Sequence, residues 1–505
     1  MGFRADLWFS GILILCLNLP SVHAQPNGPA ANDSATVTVA EADYYELVPL
    51  SMPQDLVLEV GGMTLLPDGR LAVATRRGDI WAIENPYATG GSRPHYKRIA
   101  EGLHEPLGLV YTDGVFYAHQ RGELTRLIDL DGDERSDRYE AVTTWELAGN
   151  YHEYSYGPLV LPNGDLFVTL NLAWIGHGAS LTRWSGWALR VTPEGVVEPF
   201  AAGMRSPAGL GTNAEGDLFY AENQGGWVGA GRISHVEKGD FLGNPEGLRW
   251  ADDPKSPIDL APDDIPDTGR PMYEVAEQVP ELKQPALWLP HGIMGISTSD
   301  ILVDSTGGAF GPFEDQLFIG DQGQSKIMRA YLETVDGQYQ GAVFPFREGL
   351  RSGVVRLSWG KDGSLFAGMT SRGWPAIGGE PYGIDRLIWT GQMPLEILEM
   401  RARPDGFELE FTRPVDRAVA QNLDNYSITG FTYKYHSEYG SPTIGQQEVP
   451  VRAAEVSPDG HTVRLRIDGL REGYIHELTI DDLISEEGVP LLHPTAYYTL
   501  NNLPG

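Results

Sequence analysis

The chain has 505 residues and a formal net charge of -32, with 69 acidic against 37 basic side chains. Such a surface repels nucleic acid and anionic lipid, which argues against both as partners. A single cysteine, Cys16, allows no intramolecular disulfide and no Cys-x-x-Cys-His haem attachment.

Arg4, an apolar run from Leu7 to Leu19 and a small-residue site after Ala24 predict a cleaved signal peptide over 1–24. The run is too short to span a bilayer. Leu15 precedes Cys16 where a lipoprotein signal wants a small residue. The expected location is therefore periplasmic or secreted, without membrane insertion. Residues 25–43, rich in Pro, Gly, Ala and Asn at their start, are expected to form a disordered leader.

From residue 44 a short phrase recurs: an apolar run, a Pro/Asn-Asp-Gly turn, a second apolar run. Leu65–Val73, Leu161–Val168 and Trp359–Phe366 are its clearest copies. Asp-Gly and Asn-Gly supply the positive φ of a tight hairpin, and one hairpin cannot bury its own apolar face. Recurrence at blade-like intervals predicts stacked sheets around an axis, a β-propeller. Six units, centred near 61–83, 106–128, 157–191, 207–236, 300–331 and 352–389, assign residues 44–392 to a six-bladed β-propeller. Between the fourth and fifth, Pro245 to Pro290 reads as a long excursion over one face. Residues 393–505 change style to alternating strands with no helix signal. They predict a small immunoglobulin-like β-sandwich with a docking or stabilising role. The fold class is all-β.

The candidate chemistry lies at strand ends. Asp129, Asp131, Asp133 and Asp137 alternate around Gly132, a pattern of oxygen ligands suited to a structural calcium ion; the competing reading is a solvated acidic turn. Tyr151, His152, Glu153 and Tyr156 crowd the entry to the third unit, with His152 as a proton acceptor. Arg205 precedes one strand of the fourth unit, and Glu222-Asn223-Gln224-Gly225-Gly226 follows the next. Arginine forks onto carboxylate or quinone oxygens, and the glycines let backbone carbonyls approach a ligand or ion. His291, then Asp321, Gln322 and Lys326, then Arg372 complete the set. His152, His291, Arg205, Lys326 and Arg372 together predict a cationic pocket in an anionic shell, which calls for an anionic ligand or developing negative charge.

Met204–Leu210, Glu222–Gly226, Thr306–Phe313 and Ser371–Trp374 resemble the soluble quinoprotein glucose/sorbosone dehydrogenase family. They are most like the large secreted propeller proteins that carry that domain, often fused to a cytochrome. The resemblance spans roughly 50–390. It implies pyrroloquinoline quinone (PQQ) and calcium in the funnel, with His152 as the base while hydride passes from a sugar to the quinone. Arg205 would polarise the quinone oxygens, Lys326 would hold a cofactor carboxylate, and the Gly225 and Gly226 carbonyls would help hold calcium. Tyr151, Glu222, Asn223, Gln224, His291, Asp321, Gln322 and Arg372 are the further cofactor-side candidates. The family's Arg-Asn pair is Arg205-Ser206 here, and Gly157 stands five residues beyond His152 rather than three. Without a haem motif, electrons would leave to a separate acceptor such as a cytochrome or quinone.

Three functions are therefore expected to compete. One is an exported PQQ-dependent sugar or polyol dehydrogenase. The second is a propeller lyase, or a calcium-dependent lactonase, acting on acidic sugars. The third is a non-catalytic carbohydrate-binding propeller.

Overall fold

The computed structural model describes residues 39–89 and 92–505. The expected signal peptide and most of the expected leader lie outside the described residues. Glu41–Tyr44, whose first three residues the leader was to include, forms one helical turn. No helix among the described residues is long and apolar enough to cross a membrane.

The recurring phrase forms hairpins in the expected register, pairing Leu65 with Leu71, Val160 with Leu166 and Trp359 with Leu365. Each turn repeats one piece of local chemistry. Asp68 accepts from Arg70 N (2.9 Å), Asn163 from Asp165 N (3.2 Å) and Asp362 from Ser364 N (3.2 Å), as side-chain carbonyls do in Asx turns. The returning strands Leu71–Thr75, Leu166–Leu170, Leu317–Asp321 and Leu365–Thr370 are buried at every residue. Continuous burial means that both faces of each sheet are covered by neighbouring sheets.

The chain is nearly all β, in antiparallel sheets of four strands consistent with a propeller fold. Six sheets begin at Val60, Leu109, Ser155, Pro207, Thr298 and Val354. Their first strands touch one another in that order, and the last touches the first. Where they converge, backbones come too close for a side chain. A Cβ on Gly108 would lie 1.4 Å from Gly157 O, and one on Gly209 would lie 1.9 Å from Ser299 O. The N-terminal strand Tyr45–Pro49 supplies the outer strand of the sixth sheet, pairing Leu47 with Leu387. The excursion of 245–290 is more than a loop. Its Leu287–Leu289 is the outer strand of the fourth sheet, and its Ile258, Ile265, Met272 and Val275 sit in the largest buried cluster.

The C-terminal region is joined edge to edge to the ring. Strand Thr495–Leu500 pairs with Gln338–Arg347 of the fifth sheet and extends it to eight strands. A separate four-stranded sheet, beginning with Ile397–Arg403, carries Phe407, Leu409, Val463 and Leu465. These pack with Ile428, Leu478 and Tyr498 of the extended sheet in one buried cluster.

Candidate functional site

Strand polarity determines which residues meet. In each sheet the first strand starts, and the second ends, at the same face of the ring, as the pairs Val60–Thr75, Ser155–Leu170, Pro207–Glu222 and Thr298–Asp321 show. The residues just outside these pairs therefore gather at one mouth. They are Glu59 with Arg76, Tyr154 with Asn171, Ser206 with Asn223, and Ser297 with Gln322. One backbone bond recurs between them: Arg76 N to Glu59 O (2.7 Å), Asn171 N to Tyr154 O (2.9 Å) and Gln322 N to Ser297 O (2.8 Å). The cleft there encloses about 580 Å³ including its open mouth.

Arg205 is 5% exposed. Buried Glu222 holds its turn, accepting from the amides of Arg205 and Ser206 (the latter 2.9 Å). The guanidinium lies 6.0 Å from the Trp174 ring centre and 5.1 Å from that of Tyr439. Its nearest hydrogen-bond acceptor is Gln224 O at 3.5 Å, and it makes no ion pair with a carboxylate among the described residues. His152 lies on the same wall. Its Nδ1 is 3.0 Å from Leu172 O; a carbonyl only accepts, so Nδ1 carries the proton and Nε2 is left as an acceptor. The Leu172 amide in turn donates to Arg205 O at 3.1 Å, so one residue positions both groups. Burial, helped by the charges of Arg205 and Arg121, outweighs the Leu172 bond and pushes the imidazole down to about 4. His152 is thus neutral at neutral pH, as a base must be.

Opposite, four guanidiniums share two carboxylates. Glu105 binds Arg76 (2.6 Å) and Arg121 (2.7 Å), and Glu59 binds Arg77 (2.8 Å) and Arg372 (3.0 Å). Burial raises the Glu105 carboxyl, but Arg76 and Arg121 outweigh it and hold the group below its ordinary value. The Tyr154 ring lies beneath Arg76 and Arg121, at 5.1 and 4.5 Å. With Arg205, positive charge exceeds these two carboxylates on this part of an otherwise acidic surface. Asn171 Oδ1 and Asn223 Oδ1 are buried without a partner. Of the two, Asn223 lines the cleft, so its oxygen is an acceptor available to a hydroxyl group.

Tyr151, His152, Tyr156, Arg205, Asn223, Gln322 and Arg372 are brought together in the cleft. The other expected residues are not. Glu222 is fully buried behind it, paired with Arg232 at 2.5 Å. Gln224 points away, its amide on Gly229 O (3.1 Å). Asp321 is fully buried and holds a loop by accepting from the amides of Ile296 (2.8 Å), Ser297 (2.9 Å) and Gln324 (2.7 Å). Lys326 starts the third strand of its sheet and bonds Ile293 O, 3.6 Å from Glu348; exposed His291 lies on the preceding loop. Neither lines the cleft, because the cleft draws on the end of the second strand. Gly225 comes so close to Arg205 that a Cβ would lie 2.4 Å from its Cδ. The Gly225 carbonyl already accepts from Gly440 (2.9 Å) and Val228 (3.1 Å), and that of Gly226 from Asn244 Nδ2 (3.2 Å). Both lone pairs of Gly225 are therefore occupied, which corrects the expectation of a calcium ligand there. The Asp129–Asp137 loop joins the third and fourth strands of its sheet, so it lies at the opposite face. Asp129, Asp131 and Asp137 bring carboxylate oxygens within 4.8 Å of one another, whereas Asp133 accepts from Arg135 N (2.7 Å).

Arg76, Glu105, Arg121, Trp174 and Tyr439 belong to this site without having been expected there. Arg76 had a signal: it follows its second strand as Asn223 follows its own. Tyr439 had none, because it comes from the C-terminal region.

No family model matches the chain, and no curated protein matches it. Among solved structures it is similar to a putative oxidoreductase (glucose dehydrogenase) of Thermus thermophilus, at 20% identity and TM-score 0.48, covering 68% of this chain and 100% of that one. It is also similar to the PQQ-bound aldose sugar dehydrogenase of Streptomyces coelicolor, at 16% identity and TM-score 0.46, covering 68% and 98%. A third is the PQQ domain of pyranose dehydrogenase from Coprinopsis cinerea, at 12% identity and TM-score 0.49, covering 68% and 95%.

Proposed function

We propose that this chain is an exported oxidoreductase that oxidises a sugar or polyol hydroxyl, with pyrroloquinoline quinone in the Arg205 cleft of a six-bladed propeller. The region from 393 is then an immunoglobulin-like sandwich fused to it. The observation that carries the reading is a buried guanidinium without a carboxylate partner beside an imidazole held neutral. Arg205 suits an anionic, planar group: it offers a fork of N–H donors between the rings of Trp174 and Tyr439. Arg205 and Arg372 would hold such a group from two sides. When bound, the quinone supplies an acceptor for the hydride of the carbinol carbon.

The chain's own part is proton handling and orientation. His152 Nε2 takes the hydroxyl proton of the substrate, while the Leu172 carbonyl fixes the ring and its tautomer. Asn223 Oδ1 accepts from another substrate hydroxyl. The Gly225 carbonyl, with both lone pairs taken, does not fit calcium, and no step runs through an ion there. A calcium ion belongs instead at Asp129, Asp131 and Asp137, in a structural role. Electrons leave to a separate cytochrome or quinone.

The test is to titrate purified protein with PQQ and calcium and follow quinone absorbance, then dye reduction with aldoses and polyols. A perturbed quinone band with saturable dye reduction is expected; absence of both overturns the reading. A second reading, β-elimination on a uronate, is favoured by the freedom of Arg205 to take a sugar carboxylate beside a neutral base. It would give ultraviolet-absorbing unsaturated ends without cofactor.

A further inference from the structure

The C-terminal region reaches the cleft through one short strap, residues 434–441. It is anchored along its length. Tyr435 is 2% exposed, donates to Gly243 O at 2.6 Å, and packs on Trp227 with ring centres 4.9 Å apart. Trp227 N donates to His436 O (2.9 Å), Gly440 N to Gly225 O (2.9 Å) and Ser441 N to Gly229 O (3.0 Å). These bonds fix the intervening Tyr439 at the mouth. One face of its ring covers the Arg205 guanidinium, yet the residue remains 51% exposed. Its phenol makes no hydrogen bond to a described residue.

Tyr439 is not alone there. Trp174 is 37% exposed and Tyr151 57% exposed. Trp174 lies 6.1 Å from Tyr151 and 6.4 Å from Trp374, between ring centres. Four aromatic side chains from four separate stretches of chain therefore surround the entrance, outside the point where His152 and Arg205 meet. Exposed apolar ring faces beside an unpartnered buried acceptor, here the Asn223 oxygen on the cleft wall, are the two halves of carbohydrate recognition. The ring faces stack on the C–H face of a pyranose, and the oxygen takes one of its hydroxyls.

We propose that Tyr439 is a sugar-binding platform supplied to the cleft by the C-terminal region, and that the cleft takes an oligosaccharide chain rather than a free monosaccharide. The inference rests on the reading of the cleft as a carbohydrate site. A ring held at His152 occupies the inner position, and the next units of the chain run outward over Tyr439 and the facing indoles. The C-terminal region is then one wall of the binding site.

The experiment is calorimetric titration of the full chain, without quinone, with hexasaccharides of β-1,4-glucan, β-1,4-mannan and α-1,4-galacturonan and with their monosaccharides. At least one hexasaccharide is expected to bind tenfold or more tightly than its monosaccharide. Tyr439→Ala and Tyr439→Leu should both lose that advantage, about tenfold in Kd. Tyr439→Phe should keep it, since the ring face and not the hydroxyl does the binding. Tyr139→Ala, on the second sheet, should leave it unchanged. The proposal is overturned if no hexasaccharide outbinds its monosaccharide, or if the Leu variant keeps the advantage. Because quinone is absent, failure of PQQ binding or dye reduction would refute the redox reading and leave these titrations readable.

Discussion

His493 Nδ1 lies 2.6 Å from Oε1 of Glu396, a carboxylate only 2% exposed, and Nε2 of the same ring lies 3.1 Å from Glu41. One imidazole thus joins the N-terminal helical turn, the start of the C-terminal strands and the loop before the last strand. Burial alone would lower its pKa; the two carboxylates outweigh burial and raise it to about 9. An unfolded histidine titrates near 6.5, so the clamp contributes fully below about that pH and is lost as pH rises through 9. Unfolding free energy should fall between pH 7 and 10 by an amount on the order of 3 kcal/mol. Denaturant titrations across that range check this. His493→Gln should flatten the slope, and an equal decline in that variant would contradict the assignment.

Glu222 is a second buried anchor. It neutralises Arg232, also fully buried, and holds the amides of Arg205 and Ser206. Glu222→Ala leaves an uncompensated buried cation, which costs about 3–5 kcal/mol. The urea midpoint should drop accordingly with an unchanged m-value. A stability loss of less than about 1 kcal/mol would mean that Arg232 is held well enough by the Tyr220 hydroxyl and the Leu242 carbonyl it also bonds, and that Glu222 is not the anchor.

The sequence displayed the sheets because their turns are local. Asp68-Gly69, Asn163-Gly164 and Asp362-Gly363 declare a hairpin through chemistry confined to a few residues. His152 and Arg205 were legible because the residues that position them are near strand ends. Lys326 and His291 misled for a related reason: they also flank strands, but at positions the cleft does not use. Which strand end faces the mouth depends on polarity within the sheet, and side-chain type alone does not reveal it. Glu222 was assigned to the ligand because it opens the Glu-Asn-Gln-Gly-Gly turn at the end of a strand; only burial distinguishes an anchor from a contact. Tyr439 was illegible because nothing local links the strap to the Gly225 loop.

The Asp129–Asp137 loop gives a metal prediction. Without an ion, Asp129 spends its oxygens on the amides of Gly132 (2.7 Å) and Glu134 (2.8 Å), and three like-charged carboxyls remain close together. Calcium binding only to the folded state at a hundredfold excess over Kd adds about 2.7 kcal/mol. Adding calcium should therefore raise the thermal midpoint and chelator should reverse it. The paired substitution Asp129→Asn with Asp131→Asn should abolish the response. If the parent chain shows no response, the loop is a solvated acidic turn.

His152 and Arg205 are linked electrostatically as well as through Leu172. After burial, the Arg205 charge is the leading cause that holds the imidazole down near 4. Replacing Arg205 with Met removes a positive neighbour, which favours the protonated ring, so the His152 pKa should rise from about 4 toward 6.5. An NMR titration of the imidazole in protein without cofactor measures this directly. Under the proposed dehydrogenase reading the base must be unprotonated, so the acid limb of kcat/KM should move to higher pH in the same variant. His152→Ala should lower kcat by about 10²–10⁴-fold and remove the limb. A His152 pKa that falls or stays fixed when Arg205 is replaced would show that the two groups are not coupled electrostatically.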